Sequence, residues 1–139
     1  MPQQAAPAPL APVPEPAEAV SGLPPRRWAS RHTYGAIDLG TNNCRLLVAR
    51  PTDEGFTVID AFSRVVRLGE GMATSGKLAE GAMDRAVAAL SVCAEKLRRR
   101  HVSLARSVAT EACRRAVNGR HFVERVRRET GICLEIIAP

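Results

Sequence analysis

The chain has 139 residues, of which 45% are hydrophobic, so it can bury the core of one soluble domain. Its net charge is +6, and more than half of its lysines and arginines lie in residues 96–128, a balance that suits a polyanionic partner. Only 4% of the residues are aromatic, which disfavours nucleic acid, and no segment is long and apolar enough to span a membrane.

Residues 1–32 are rich in proline and alanine and are predicted to form a disordered tail. Eight of the ten prolines fall within the first twenty-five residues, and proline removes backbone hydrogen-bond donors. The prolines also interrupt the apolar run that a secretory signal requires. An organelle transit peptide is the weaker alternative, because Glu15 and Glu18 are present. Residues 33–139 are expected to form the ordered part.

The four cysteines, at positions 44, 93, 113 and 133, lie far apart in the sequence. Their spacing indicates neither a metal site nor a redox couple, so free thiols are predicted. Free thiols favour a reducing, cytoplasmic setting, although four cysteines can also form two disulfides.

Apolar segments separated by turns predict the first three strands, at Tyr34–Leu39, 44–49 and 56–66. A glycine-rich loop follows, and apolar residues at helical spacing then predict a helix over residues 80–100. Arg98, Arg99 and Arg100 at its end are interpreted as a solvated basic face.

The rest of the chain predicts a strand at Leu104–Ala109, a short helix beginning at Thr110, a second helical segment capped by Asn118 and ended by Gly131, and a strand at 132–137. The order β-β-β-α-β-α-β indicates an α/β fold with a mixed sheet and helices packed on it. This order resembles the opening half of a ribonuclease-H-like domain, the unit that proteins of the actin-like ATPase superfamily use in duplicate, and that half-domain is the predicted fold.

Residues 38–43 join the first two strands and have the composition of an anion-binding turn. Gly40 lets the backbone approach a ligand, and the N–H groups of a tight turn, with the side chains of Thr41, Asn42 and Asn43, can surround phosphate oxygens. Asp38 is placed to hold a hydrated divalent metal beside that phosphate. An ordinary asparagine-rich hairpin turn is the alternative.

A helix that begins at Thr110, after a strand, would direct its N–H groups into the crevice where α/β proteins bind ligands. Arg114, one turn further, can bind two phosphate oxygens at once. Arg115 is expected to face solvent or a carboxylate, and a plain surface charge is the alternative for either arginine.

These motifs together resemble the exopolyphosphatase and guanosine-pentaphosphate phosphohydrolase family (Ppx/GppA), over residues 34–137. The order and spacing of four stretches carry the resemblance, namely 36–42 with 45–46, 67–71, 109–114, and 131–132 with 134–137. The family often has serines where this chain has Thr41 and Asn43, and both replacements keep a polar group.

The resemblance implies hydrolysis of a terminal phosphate of polyphosphate, or of the 5′-phosphate of guanosine pentaphosphate, with Mg²⁺ or another divalent cation. It is also compatible with a homodimer of the full-length protein. The implied roles are catalytic for Arg114, phosphate-binding for Gly40, Thr41, Asn42, Asn43 and Thr110, metal-binding through water for Asp38, and supporting for Arg67 and Glu70.

The family's catalytic glutamate would follow the strand at residues 132–137, so the chain is expected to be an inactive amino-terminal portion of the enzyme. Glu111 and Glu135 are poor substitutes for that base, since one suits the first turn of a helix and the other lies in a strand. One alternative is a module that binds polyphosphate or a nucleotide without turnover. Another is a relative of the actin-like kinases, against which residues 110–114 argue.

Overall fold

The computed structural model describes residues 32–138. These residues form five strands and four helices: β1 (Tyr34–Leu39), β2 (Asn43–Thr52), β3 (Gly55–Val65), α1 (Met72–Ser75), α2 (Glu80–Arg99), β4 (Leu104–Ala109), α3 (Glu111–Arg115), α4 (Gly119–Thr130) and β5 (Glu135–Ile136). The predicted disordered tail lies outside the described residues except for His32. No helix among the described residues has the length and apolar character needed to cross a membrane.

The five strands form one sheet in the order β3-β2-β1-β4-β5. β1, β2 and β3 pair antiparallel, whereas β4 pairs parallel with β1 and with β5. Parallel neighbours require crossover connections, which α2 supplies between β3 and β4, and α3 with α4 between β4 and β5. The predicted mixed sheet of a ribonuclease-H-like half-domain is therefore confirmed.

The hydrophobic core lies between one face of the sheet and the helices. Alternate strand residues such as Ile37 and Leu46 are buried and belong to one cluster with Leu90 of α2 and Phe122 of α4. Complete burial of a side chain such as Leu90 contributes about 1.5–3 kcal/mol. The opposite face of the sheet presents exposed side chains, among them Asp38. Because Asp38 follows Ile37, the strand period of two places it on the face away from the core.

Ion pairs connect α2 to α4 and to β3. The Arg125 guanidinium of α4 contacts Asp84 at 2.8 Å and Glu80 at 3.5 Å, both on α2, and only 18% of its side chain is exposed. Asp60 of β3 accepts from Lys96, and Arg100 lies 3.3 Å from the same carboxylate. Much of the basic charge is therefore used in structural pairs.

Arg98 and Arg99 at the end of α2 agree with the interpretation as a solvated basic face, whereas Arg100 contacts Asp60 of β3. Arg98 and Arg99 are exposed and pair only with Glu95 of the same helix among the described residues. Pairs of this kind contribute little to stability. Nothing in their geometry distinguishes them as a ligand site.

Several local predictions differ from the structure. The segment predicted as a glycine-rich loop contains the four-residue helix α1, which has no buried residue and therefore no apolar spacing to reveal it. The last strand covers Glu135–Ile136 only, less than the predicted residues 132–137. The predicted helix terminator Gly131 is confirmed, with φ 81°.

Asn118 stands before α4 as predicted, but its side chain does not cap that helix. Its Oδ1 accepts from the Leu78 N–H at 2.8 Å, and its Nδ2 donates to the Leu78 carbonyl at 3.1 Å. The side-chain amide of Asn118 thus bonds both backbone polar groups of Leu78, so Asn118 pairs with the segment before α2 instead of with its own helix.

The four cysteines are free thiols, as predicted, and three of them are buried. The Sγ atoms of Cys44 and Cys93 lie 3.9 Å apart, a proximity that their separation in sequence did not reveal. The hydrogen bond between them and burial raise the pKa of Cys93, and the same bond lowers the pKa of Cys44. Burial raises the pKa of the Cys113 thiol to about 12. Cys133 is half-buried.

We expect Gly119→Ala to lower the free energy of unfolding by at least about 2 kcal/mol. A Cβ at this position would lie 2.0 Å from the carbonyl oxygen of Cys113, so backbone would have to move. Urea denaturation measures the change. In the control Gly81→Ala, on an exposed part of α2, the added Cβ would meet only an Arg85 nitrogen at 3.7 Å, and stability should rise by up to about 1 kcal/mol. A similar loss of unfolding free energy in both variants would contradict the close contact between Gly119 and the Cys113 carbonyl.

Iodoacetamide at pH 8 should modify Cys133 of the native chain first and the other three cysteines only after unfolding. The thiolate is the reacting species, and a pKa of about 12 keeps Cys113 protonated at that pH. Cys44 and Cys93 have no exposed surface. Mass spectrometry of a time course, with and without denaturant, gives the order of labelling. Rapid native labelling of Cys113 would contradict the buried position.

Candidate functional site

The connection between β1 and β2 is a tight turn of residues 40–42, called here the β1–β2 turn. The Gly40 N–H donates to the Asn43 carbonyl at 2.9 Å and closes the turn. Thr41 and Asn42 at its tip are exposed. The predicted succession of strand, turn and antiparallel strand is confirmed.

Two backbone N–H groups of this turn are called open here, because they have no hydrogen-bond acceptor among the described residues. No hydrogen bond formed within residues 32–138 uses the N–H groups of Thr41 or Asn42. The carbonyls of the same residues are engaged, because Gly69 donates to Thr41 at 3.0 Å and Arg67 donates to Asn42 at 3.0 Å. In a trans peptide the carbonyl and the N–H point in opposite directions. Holding the Thr41 carbonyl on one side therefore directs the Asn42 N–H to the other.

A second loop, residues 67–70, lies against this turn and is called the Arg67 loop. A Cβ on Gly69 would lie 2.5 Å from the Thr41 Cγ2, so only glycine allows the two segments to come this close. Arg67 has φ 48°, a left-handed conformation that costs a non-glycine residue about 1–3 kcal/mol. Its exposed guanidinium lies 3.9 Å from the Glu70 carboxylate. The structure thus brings Arg67 and Glu70 beside the turn.

Thr110 lies next to the same turn because β4 runs parallel to β1. Its N–H and its hydroxyl both donate to the Leu39 carbonyl, at 3.1 and 3.3 Å. A Cβ on Gly40 would lie 3.8 Å from the Thr110 Oγ1. Thr110 precedes the five-residue helix α3, but its side chain does not cap it. Its hydroxyl instead joins the ends of β1 and β4.

Arg114 and Arg115 are neighbours in sequence but have different partners. The Arg114 Nη1 donates to the Ile137 carbonyl at 3.0 Å. Arg114 also lines an open groove of about 610 Å³ between α3, α4 and the end of β5, to which no residue of the β1–β2 turn contributes. Arg115 lies 3.7 Å from Glu111 one turn away and is 67% exposed, which agrees with the expected carboxylate partner.

The Asp38 carboxylate is exposed at the end of β1, opposite Arg45 in the strand register. It forms no ion pair with another residue of the described part of the chain. Residues 32–138 contain no group of three or more acidic, histidine or cysteine side chains that could hold a metal. One carboxylate nonetheless fits Mg²⁺, which keeps several waters and takes its other ligands from phosphate.

Glu111 and Glu135, the two glutamates considered as substitutes for the general base, both form ion pairs. Glu135 accepts from Arg106 at 2.8 Å, and Glu111 pairs with Arg115. Both carboxylates therefore have a cationic partner, and that they are poor substitutes for a general base stays a prediction.

Arg85 of α2 was not predicted as part of this site. Its Nε donates to the Val66 carbonyl at 2.8 Å, and its Nη2 donates to the Arg67 carbonyl at 3.2 Å and to Glu70. In the sequence it resembles any charged residue on a helix surface. Its partners are mostly backbone carbonyls, which leave no side-chain pattern from which the contact can be predicted.

Comparisons with known proteins agree on one family. The model of the Ppx/GppA phosphatase family matches residues 47–139. The crystal structure of the Aquifex aeolicus member of the Ppx/GppA family has a TM-score of 0.75, with 32% identity over 78% of this chain and 35% of that one. An exopolyphosphatase from Cytophaga hutchinsonii has a TM-score of 0.73, with 30% identity over 76% of this chain and 34% of that one.

The chain therefore spans about a third of the length of these solved relatives. The family match covers more than half of this chain, and identities of 30% or above accompany the structural agreement. Together with the sheet order and the four sequence motifs, these matches show that the chain belongs to the Ppx/GppA phosphatase family.

Proposed function

We propose that the chain is the amino-terminal portion of a cytoplasmic, metal-dependent phosphohydrolase that removes the terminal phosphate of polyphosphate or the 5′-phosphate of guanosine pentaphosphate. The observation that carries this proposal is the pair of open N–H groups at Thr41 and Asn42. Family membership supports phosphate chemistry, and the exopolyphosphatase from Cytophaga hutchinsonii supports polyphosphate as the first substrate to test.

In this proposal the β1–β2 turn binds the reacting phosphate. Gly40 allows close approach, and the N–H groups of Thr41 and Asn42 donate to phosphate oxygens together with the Thr41 hydroxyl and the side chains of Asn42 and Asn43. Thr110, at the end of β4, borders the site beside Gly40, and its N–H and hydroxyl hold the end of β1 through the Leu39 carbonyl. Preorganised donors stabilise negative charge without the reorganisation that water would require.

Arg114 stabilises the charge that develops on the transferred phosphoryl group. A guanidinium has five N–H donors, and the bond to the Ile137 carbonyl uses one of its nitrogens. That bond holds the side chain in place while the remaining donors can turn to a ligand. Arg67, with its exposed guanidinium beside the turn, is proposed to bind the following phosphate of the substrate.

Asp38 would hold Mg²⁺ or another divalent cation through water. When bound there, such a cation would supply positive charge to the phosphate oxygens. The part played by this chain is to present one exposed carboxylate at the end of β1, beside the turn that receives the phosphate.

We propose that this chain alone binds its substrate without turnover. Hydrolysis requires a positioned and activated water. The resemblance places the family's general base after residues 132–137, and the solved relatives are about three times as long as the matched portion. The alternative, a binding module with no catalytic role, is favoured by the net charge of +6 and requires only the turn.

The deciding assay is phosphate release from long-chain polyphosphate with magnesium. The 139-residue chain is compared with a version extended through the downstream coding sequence, both at the same ionic strength. We expect release only from the extended version, since the turn and the general base must act together. Binding without release by both versions would favour the binding module, and release by the short chain would refute the assignment of the base to the downstream residues.

In the extended protein, Arg114→Gln should reduce the rate of phosphate release by about 100-fold or more, because loss of one transition-state donor has an effect of that order. The matched control is Arg115→Gln on the same helix, which should change the rate by no more than about twofold because it loses only an exposed ion pair. Equal effects of the two substitutions would contradict the role of Arg114. Circular dichroism of both variants checks that the fold is retained.

A further inference from the structure

The guanidinium of Arg85 connects α2 to three groups of a single short segment. It donates to the carbonyl oxygens of Val66 and Arg67 and to the carboxylate of Glu70. Hydrogen bonds from a charged donor are roughly twice as strong as neutral ones. Arg85 therefore holds the Arg67 loop to the first turns of the longest helix in the described part of the chain.

The connection continues through one peptide group to the β1–β2 turn. The Val66 carbonyl accepts from Arg85 at 2.8 Å, and the N–H of the same peptide group, that of Arg67, donates to the Asn42 carbonyl at 3.0 Å. Because a peptide group is planar and rigid, fixing its oxygen also fixes the direction of its N–H. Hydrogen bonds in such a series polarise and strengthen one another.

The backbone that Arg85 holds is strained. Arg67 has φ 48°, and a residue other than glycine keeps this conformation only where its surroundings enforce it. The Arg67 carbonyl is itself one of the acceptors of Arg85, at 3.2 Å. Without the guanidinium, the Arg67 loop would lose a main support of this conformation, and the donors that orient Asn42 would shift with it.

We infer that Arg85 is a positioning residue of the phosphate-binding site. It need not touch the phosphate, and it acts through the Arg67 loop on the direction of the β1–β2 turn donors. The inference rests on the proposed function for its effect on phosphate binding. Its structural part, the connection from α2 to Asn42, stands on the hydrogen bonds alone.

The test measures amide hydrogen exchange and binding of tripolyphosphate by the 139-residue chain, at fixed magnesium and salt. In Arg85→Gln, exchange of the Arg67 and Gly69 amides should accelerate by about tenfold and the Kd for tripolyphosphate should rise by about tenfold, the equivalent of one charged hydrogen bond. Arg85→Lys keeps the positive charge but lacks the several N–H donors of a planar guanidinium. It should therefore restore only part of the amide protection and part of the tripolyphosphate affinity.

Two controls separate positioning from general damage. Arg98→Lys, on the same helix, loses only a contact with Glu95 and should change neither quantity. Arg125→Gln loses the pairs between α4 and α2 and should lower the melting temperature without changing the Kd. Unchanged loop exchange or an unchanged Kd in Arg85→Gln would overturn the inference.

The two proposals fail in different ways. If the unmodified chain does not bind tripolyphosphate, the proposed phosphate site is refuted. Exchange at Arg67 and Gly69 then still decides whether Arg85 positions the turn. If the chain binds and Arg85→Gln binds equally well, the positioning role is refuted while the phosphate site stands.

Discussion

The N–H groups of Val66 and Arg67 converge on one acceptor, the carbonyl oxygen of Asn42, at 2.8 and 3.0 Å. This pair of hydrogen bonds joins the end of β3 to the β1–β2 turn, two segments that are far apart in the chain. It brings Gly69 against Thr41, and the bond from the Gly69 N–H to the Thr41 carbonyl then sets the direction of the open Asn42 N–H. The site depends on this backbone contact more than on any pair of side chains.

The sheet order adds the second half of the site. Since β4 lies beside β1 and runs parallel to it, Thr110 arrives next to Gly40 at the same edge of the sheet. Ligands of open α/β sheets bind outside the carboxyl ends of the strands. The antiparallel hairpin supplies the turn, and the parallel crossover supplies Thr110 and the helix that carries Arg114. A mixed sheet therefore brings two short motifs, about seventy residues apart in the chain, to the same edge.

The sequence predicted the features that depend on side-chain pattern or chemistry. Tyr34–Leu39 and Leu104–Ala109 were predicted at their observed limits because each is a short apolar segment bounded by turn residues. Residues 40–43 were identified from the chemistry of glycine, threonine and asparagine. The support from Arg85 was not predictable, because two of its three acceptors are backbone carbonyls, 18 and 19 residues away in sequence. The left-handed conformation of Arg67 was equally hidden, since nothing about arginine favours it.

The edge position of β3 has a consequence for handling the protein in solution. An edge strand of eleven residues with exposed Phe56, Val58 and Val65 is a template for pairing with other chains and for aggregation. Two features oppose this: the irregularity in the register with β2, between Val48 and Ala49, and the charge of Asp60 within the strand. The contact with Lys96 lowers the pKa of Asp60, so that charge persists into mildly acidic buffers. The protein should therefore aggregate least at a pH where Asp60 is ionised. Concentrated stocks are better kept near neutral pH than in strong acid.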